Sequence, residues 1–197
     1  MALVLVTRDG VRAVGTSHEF EVKPVPTAPV GTDFVAVAVF QREVSDLMRR
    51  VAGASAKLSE ARNRLRYMRA ALVETPRADP ALFERFDALG RTLDALSLRL
   101  NGDPARGQLS EASTPSIRGR VGQVIGGHWD TRQTPTATQR TDIEIARTGF
   151  LALTRELTSV VEGDLVRLES DLEAAGAPWT PGRRLPPSPN PDPGANR

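Results

Sequence analysis

The sequence predicts a mainly α protein, an elongated antiparallel helical bundle made of two long helices and two shorter ones. A short pair of β-strands precedes the bundle, and a disordered proline-rich tail follows it. Two observations predict this fold. The first long helix carries an unbroken run of apolar residues at alternating spacings of three and four, which is typical of helices that pack along their length. Aromatic residues make up only 5% of the chain, which favours helices over a large sheet.

The N-terminal segment predicts two β-strands. Residues 2–7 and roughly 17–23 alternate like strands, and Arg8-Asp9-Gly10 between them is a turn signal. Prolines then exclude further ladder pairing and form a stiff connector. These prolines are Pro24, Pro26 and Pro29. Because a lone two-stranded ribbon is marginal in water, we expect the strands to be the last part of a β-domain whose remainder is missing from this chain.

The first helix is predicted to begin at a cap formed by Thr32 or Asp33 and to end before Pro76. Its apolar seam consists of Val37, Phe40, Val44, Leu47, Val51, Ala54, Leu58, Ala61, Leu65, Met68 and Leu72. Asp79 followed by Pro80 predicts the start of the second helix, because proline is favoured at the first helical position. The apolar residues of the second helix are Leu82, Phe86, Leu89, Leu93, Leu96 and Leu100.

Residues 102–115 are predicted to form a loop, and Ser116 to begin the third helix. Its apolar face consists of Ile117, Val121, Val124 and Ile125. Gly126-Gly127 is expected to end it, because glycine adopts the left-handed C-terminal geometry easily. Thr136 and Gln139 predict a capping box for the last helix, which Gly176 ends. The last helix carries Ile143, Ala146, Phe150, Leu153, Leu157, Val161, Leu165, Leu168 and Leu172.

Helix lengths suggest how these elements fit together. The first and last helices are each about 60 Å long, and the second and third together span about 50 Å. We therefore expect an antiparallel pair of long rods with the two shorter helices end to end along their groove. The chain divides into residues 1–29 (strands and connector), 30–177 (the bundle) and 178–197 (the tail).

Composition excludes several classes of site and partner. The chain has no cysteine, so disulfides, thiol catalysis and thiolate metal sites are excluded. Its histidines, His18 and His128, have no second ligand at metal spacing, so we expect neither a metal nor another cofactor. The net charge is +2 and acids alternate with bases, which argues against nucleic acid as a partner. We expect no membrane span and no signal peptide, and the compartment stays open, with cytoplasmic as the default.

His128-Trp129-Asp130 is the polar cluster that most resembles a catalytic site, since a histidine beside a carboxylate can act as a general base. We favour a structural role, in which His128 bonds the carbonyls freed at the helix end and Trp129 covers the end of the bundle. The glycine-rich run at 117–127 lacks both the preceding strand and the Gly-Lys-Ser/Thr of a phosphate loop.

Two charged groups on the helices were considered as sites. The last helix carries acids that could form a glycosidase pair, but we expect them on its solvated face. These are Glu156, Glu162, Asp164, Glu169, Asp171 and Glu173. The densest basic patch could meet phosphate, but we expect it to pair with acids of a neighbouring helix. It consists of Arg62, Arg64, Arg66 and Arg69. We assign no catalytic, cofactor-binding or metal-binding residue.

Several unusual strings resemble the C-terminal region of bacterial β-propeller proteins with BNR or sortilin-type (VPS10-like) repeats, often labelled glycosyl hydrolases or sialidase-like proteins. The resemblance covers residues 2–184, and its most specific parts are residues 115–140 and 171–183. It implies a propeller followed by a helical region. The chain has no Asp-box motif and no blade repeats, so no catalytic residue is carried over.

The leading functional hypothesis is therefore a non-catalytic helical module, a truncated or split piece of a propeller protein that packs against the propeller or another protein. A second hypothesis is a free-standing coiled-coil adaptor that oligomerises through the first helix. A third is a glycosidase or other hydrolase that uses His128 and acids of the last helix.

Overall fold

The computed structural model describes residues 3–16, 18–23, 30–76, 78–129, 131 and 133–183. Within these ranges the chain forms a β-hairpin and three helical rods that lie side by side. The predicted proline connector, Asp130, and residues 184–197 of the predicted tail lie outside the described residues. The mainly α bundle preceded by a two-stranded ribbon is confirmed.

The N-terminal hairpin pairs β1 (Leu3–Thr7) with β2 (Gly10–Val14) in antiparallel register. Arg8 and Asp9 form the turn, as predicted. Every residue of both strands is exposed, so the hairpin buries none of its apolar side chains in the bundle.

The second strand predicted at residues 17–23 is wrong, because residues 18–23 form no strand. A two-residue turn pairs Thr7 directly with Gly10, and the segment that follows contains the β-branched residues that strands prefer. The partner strand is therefore complete at Val14, before the predicted one begins.

The first rod is α1 (Phe34–Val73), and Asp33 caps it by accepting hydrogen bonds from the amides of Val35 and Ala36. Its predicted seam is buried along the whole helix, together with Ala71. Asp33 is therefore the cap, and the prediction of an uninterrupted seam is confirmed.

The second rod consists of two helices, α2 (Pro80–Asn101) and α4 (Ile117–His128), which lie end to end as predicted. The end of α2 lies close to the start of α4, since a Cβ added to Gly102 would be 3.4 Å from the Ser116 hydroxyl. The predicted loop between them contains a short helix, α3 (Pro104–Gln108), so the loop assignment is partly wrong. Asp103 before Pro104 repeats the Asp-Pro start signal of α2.

α4 does not end at Gly126-Gly127 as predicted but continues to His128. Neither glycine adopts a positive φ. The buried side chain of His128 packs on α1 and keeps the last turn helical, which the glycines alone did not indicate.

The third rod, called the C-terminal rod, is continuous through α5 (Ala137–Ser159), a π-helical segment (Val160–Asp164) and α6 (Leu165–Ala174). The predicted capping box is present, since Gln139 N donates to Thr136 Oγ1 and Thr136 N donates to Gln139 Oε1.

Ion pairs between rods fix their directions. Glu43 pairs with Arg147, and Arg64 with Glu169, so α1 and the C-terminal rod run parallel. Arg69 pairs with Asp87 and Arg62 with Asp94, so α2 runs antiparallel to α1. The expected antiparallel pairing of the two long rods is therefore wrong. α2 and α4 together form the second rod, which runs antiparallel to α1. The chain then reverses direction again, so the C-terminal rod runs parallel to α1.

The C-terminal rod ends in a Schellman motif, in which Gly176 has a φ of +72° and the Ala177 amide donates to the Leu172 carbonyl. The chain then folds back onto the bundle as the C-terminal strap (residues 177–183). Ala177 is buried, and the side chain of Arg183 is only 2% exposed. The bundle thus extends to residue 183, six residues beyond the predicted boundary at 177.

Candidate functional site

His128 lies at the end of the second rod against α1. Its ring is 1% exposed and meets the ring of Phe40 edge-on, with 5.4 Å between centroids. Nδ1 lies 3.3 Å from the side-chain nitrogen of Gln41. This contact joins the end of α4 to α1. Nε2 is buried and has no hydrogen-bond partner among the described residues.

This environment does not suit a general base. A ring this deeply buried cannot reach a substrate, and none of the ion pairs between described residues includes His128. The expected hydrogen bonds from His128 to carbonyls freed at the helix end are not the contact that the structure shows, because the ring lies against the Gln41 side chain instead. Trp129 follows it at the bundle end and is 46% exposed.

Five of the six predicted acids of the C-terminal rod pair with arginines: Glu156, Asp164, Glu169, Asp171 and Glu173. Glu156 accepts two hydrogen bonds from Arg99, at 3.0 and 2.5 Å. Asp171 pairs with Arg85 at 2.6 Å, and Glu173 with Arg183 at 2.8 Å. Such carboxylates are neutralised one by one along a rod and do not face each other across a cleft, as a glycosidase pair must.

Glu169 departs from the prediction that these acids are solvated. Its side chain and that of Arg64 are each only 14% exposed, and they form an ion pair at 2.5 Å. The strap covers this pair, since a Cβ on Gly182 would lie 2.8 Å from Cγ of Arg64. The pair therefore belongs to the contact between α1, α6 and the strap.

The predicted pairing of the basic patch with neighbouring helices is confirmed for three of its arginines. Arg62 pairs with Asp94, Arg69 with Asp87, and Arg64 with Glu169. The fourth, Arg66, lies 5.1 Å from the ring centroid of Tyr67. These arginines hold the rods together and leave no line of unpaired positive charge for phosphate.

Two carboxyl groups have shifted pKa values. The hydrogen bonds from Arg99 hold the pKa of Glu156 below its ordinary value, and the same contact raises the pKa of Arg99. On α1, the hydrogen bond from Arg49 lowers the pKa of Asp46. Each shift favours the charged form of a surface carboxylate, which is the opposite of what a general acid needs.

The π-helical segment is a feature that the sequence interpretation missed. Val160 and Val161 are both buried there, so two consecutive residues face the core. A signal for it is present in the predicted stripe, in which Leu157, Val161 and Leu165 follow each other at two successive spacings of four. That pattern inserts one residue into the seven-residue repeat, and a π-bulge absorbs such an insertion without rotating the rest of the helix.

The register between the parallel rods agrees with this insertion. Before the π segment in the chain, the paired residues Glu43 and Arg147 are 104 positions apart. After it, the paired residues Arg64 and Glu169 are 105 positions apart. The π segment thus keeps the apolar face of α6 on α1.

A cleft of about 640 Å³ lies where α2, α4 and α5 meet. Its floor is apolar and includes Leu98, Ile145 and Leu153. Three arginines also line the cleft, and each is paired: Arg99 with Glu156, Arg120 with Asp142, and Arg106 with Asp103.

The described residues contain no cluster of three or more histidine or acidic side chains placed to hold a metal ion. No helix in the described part of the chain is both long enough and apolar enough to cross a lipid bilayer.

No protein-family model matches the chain, and comparisons with curated proteins and with solved structures found no significant match.

Proposed function

We propose that this chain is a non-catalytic helical module that attaches to a β-rich partner through its N-terminal hairpin. The observation that carries the proposal is the hairpin itself, which carries exposed apolar side chains on both faces. Leu3, Leu5 and Val14 share one face, and Val6 and Val11 pair on the other. All of them are about half exposed or more. A two-stranded ribbon of this kind gains little stability alone in water, whereas added strands would bury both faces and pair its open edges.

A non-catalytic role is supported by the distribution of polar groups. Among the predicted candidates, His128 is buried at a helix end, and five acids of the C-terminal rod, such as Glu156, are paired with arginines. We therefore expect the bundle to contact a partner through its exposed apolar surface, and not through these side chains.

Residues 115–140 and 171–183 resemble the C-terminal region of BNR or sortilin-like proteins. On this resemblance, we propose that the β-rich partner is the β-propeller portion of such a protein. These two strings contain the residues that close the ends of the bundle, such as His128 at one end and Arg183 at the other. A helical module with closed ends and an unpartnered hairpin suits attachment to a propeller by the hairpin.

The coding sequence directly upstream of Met1 provides the first test. The proposal expects Asp-box repeats there, in frame or displaced by a frameshift. The joined protein is then expressed beside the chain alone, and amide hydrogen exchange is measured for Val4 and Val11. We expect strong protection in the joined protein and fast exchange in the chain alone, with Val44 of α1 protected in both as the control. Absence of such repeats, or equally fast exchange, would contradict the proposal.

Sedimentation separates this proposal from an oligomeric adaptor. The seam of α1, including Val44, Val51 and Leu58, is buried by the chain's own rods. An oligomer that used this seam would have to open the bundle. We therefore expect a sedimentation coefficient that does not depend on concentration, and a rise with concentration would favour the adaptor.

A glycoside panel tests the hydrolase hypothesis. We expect the full chain and His128→Ala to show the same absence of turnover. Turnover that is lost in His128→Ala would overturn the non-catalytic assignment.

A further inference from the structure

The cleft where α2, α4 and α5 meet lies at the interruption of the second rod. α2 ends at Asn101 and α4 begins at Ile117, and between them the chain leaves the rod through α3 and a loop. Residues 113–115 of that loop form one side of the cleft. α5 passes the interruption without a break, and there its side chains Ile145 and Ala152 stay exposed within the cleft.

The floor of the cleft presents aliphatic side chains to solvent. Ile145, Gly149 and Ala152 follow one another at spacings of four and three, so they form one stripe along α5. Leu98 of α2 lines the same cleft and is 53% exposed, and Ile145 is 48% exposed. None of the described residues that line the cleft is aromatic. Such a floor suits an alkyl tail better than a flat ring.

The charged side chains that line the cleft are mostly basic. Among the described lining residues they are Arg99, Arg106, Arg120 and Asp103, three cations to one anion. Arg99 and Arg120 already donate hydrogen bonds to acids of α5. The charge of the lining therefore favours an anionic ligand, and Arg106 is the arginine that α5 does not engage through these bonds.

Arg106 has the capacity to bind a further anion. Its Nε lies 3.8 Å from the Asp103 carboxylate and 4.0 Å from that of Glu111, and both distances are too long for a hydrogen bond. Asp103 is also engaged elsewhere, since its Oδ1 accepts hydrogen bonds from the amides of Ala105 and Arg106 at the start of α3. Arg106 can therefore donate to a ligand without breaking a hydrogen bond to either acid.

We propose that the cleft binds a free single-chain carboxylate of medium length, with its alkyl tail on the α5 stripe and its carboxylate on Arg106. The stripe from Ile145 to Ala152 is about 10 Å long at the rise of an α-helix, and a tail of this length covers it. The cleft volume of about 640 Å³ lies in the range of small-molecule sites, and the tail would bury the half-exposed Leu98 and Ile145. This site is separate from the hairpin and does not depend on the attachment proposed above.

Titration of the full chain with decanoate, followed through amide chemical shifts, tests the proposal. We expect saturable shifts at Leu98, Arg106 and Gly149, with Gly53 of α1 unchanged as the internal reference. Hexanoate has four fewer methylenes and is expected to bind at least about 20-fold more weakly, since each buried methylene changes the dissociation constant by up to about fourfold. Shifts that do not saturate, or equal affinities for the two acids, would overturn the proposal.

A pair of variants on α5 tests whether the tail lies in the cleft. Ala152→Trp fills the cleft from an exposed position and is expected to weaken decanoate binding at least about tenfold. Thr148→Trp adds the same ring at an exposed position of α5 outside the cleft and is expected to leave the dissociation constant unchanged. Circular dichroism checks that both variants fold. Undiminished binding in Ala152→Trp would place decanoate elsewhere and overturn the proposal.

The role of Arg106 is tested with a ligand that has the same tail and no charge. Arg106→Gln is expected to weaken decanoate binding about tenfold or more, because it removes charge-assisted hydrogen bonds to the carboxylate. The same variant is expected to bind decanol as the unmodified chain does. Weakening of both ligands would indicate a structural effect, and weakening of neither would show that the carboxylate does not bind Arg106. Either result would overturn the assignment of the carboxylate to Arg106.

Discussion

His128 and Thr75 are the buried polar residues among those the structure describes, and each finds a partner close by. Thr75 donates to the Ala71 carbonyl one turn earlier at 2.8 Å, and the His128 ring meets Gln41 and Phe40 of α1. Both residues lie near the ends of rods, where polar groups can be buried without interrupting the apolar seam. Each therefore contributes a contact within the bundle.

Replacement of His128 by alanine is expected to lower the free energy of unfolding by about 2 kcal/mol or more, because it opens a cavity beside Phe40 and leaves the Gln41 amide without its partner. Urea denaturation measures the change. Trp129→Ala, at the neighbouring half-exposed position, is the control and is expected to cost less. An effect of His128→Ala no larger than that of the control would contradict this role.

Glu156→Gln is expected to lower the free energy of unfolding by about 0.2–1 kcal/mol at pH 7, as for an exposed ion pair. Arg99 lowers the pKa of Glu156 in the folded chain below the ordinary value of 4.5. The stabilisation is therefore fully present above pH 4.5 and is lost as the pH falls through the folded pKa. Urea melts of both proteins from pH 7 to pH 3 should converge at the acid end, and a constant difference would contradict the assignment.

At the scale of the elements, the apolar stripes of α1 and α2 were predictable residue by residue, because a buried helix face repeats with the period of the helix. The Asp-Pro and Thr-x-x-Gln starts were predictable for the same local reason. The continuation of α4 to His128 was not, since it depends on a contact with α1 that no local pattern encodes. The packing of strap residues 178–183 is not predictable from the sequence either, because contacts such as Arg183 with Glu169 join residues that only the fold brings together.

Deletion of Gly163 tests the π segment. Removing one residue there restores alternating spacings of three and four from Leu157 through Val160 to Leu165, so α6 keeps its face on α1. We expect the free energy of unfolding to change by about 1 kcal/mol or less.

The matched control is deletion of Ser59, an exposed residue of α1 where the repeat is regular. This deletion rotates the rest of α1 by about 100° and moves its seam out of the core, so we expect a loss of most of the stability. Circular dichroism during urea unfolding measures both variants. Equal losses in the two deletions would contradict the role given to the π segment.

At the scale of the whole molecule, the stripes on three rods are buried against one another within one chain. The sequence predicted this burial but not the relative direction of the two long rods. Periodicity predicts which face of a helix is buried but not the direction in which the helix runs. The direction of the last rod depends on α2 and α4 forming a single rod between the two long ones. The ion pairs Glu43–Arg147 and Arg64–Glu169 are the contacts that establish it.

Double electron–electron resonance between two nitroxides tests this arrangement most directly, and the absence of cysteine leaves only the introduced labels. One label replaces Arg42, and its partner replaces either Thr148 or Ser170, with unlabelled chain added in excess. Parallel rods predict about 10–20 Å for the first pair and about 35 Å for the second. The reverse order of distances, or distances that disappear on dilution with unlabelled chain, would contradict a bundle closed within a single chain.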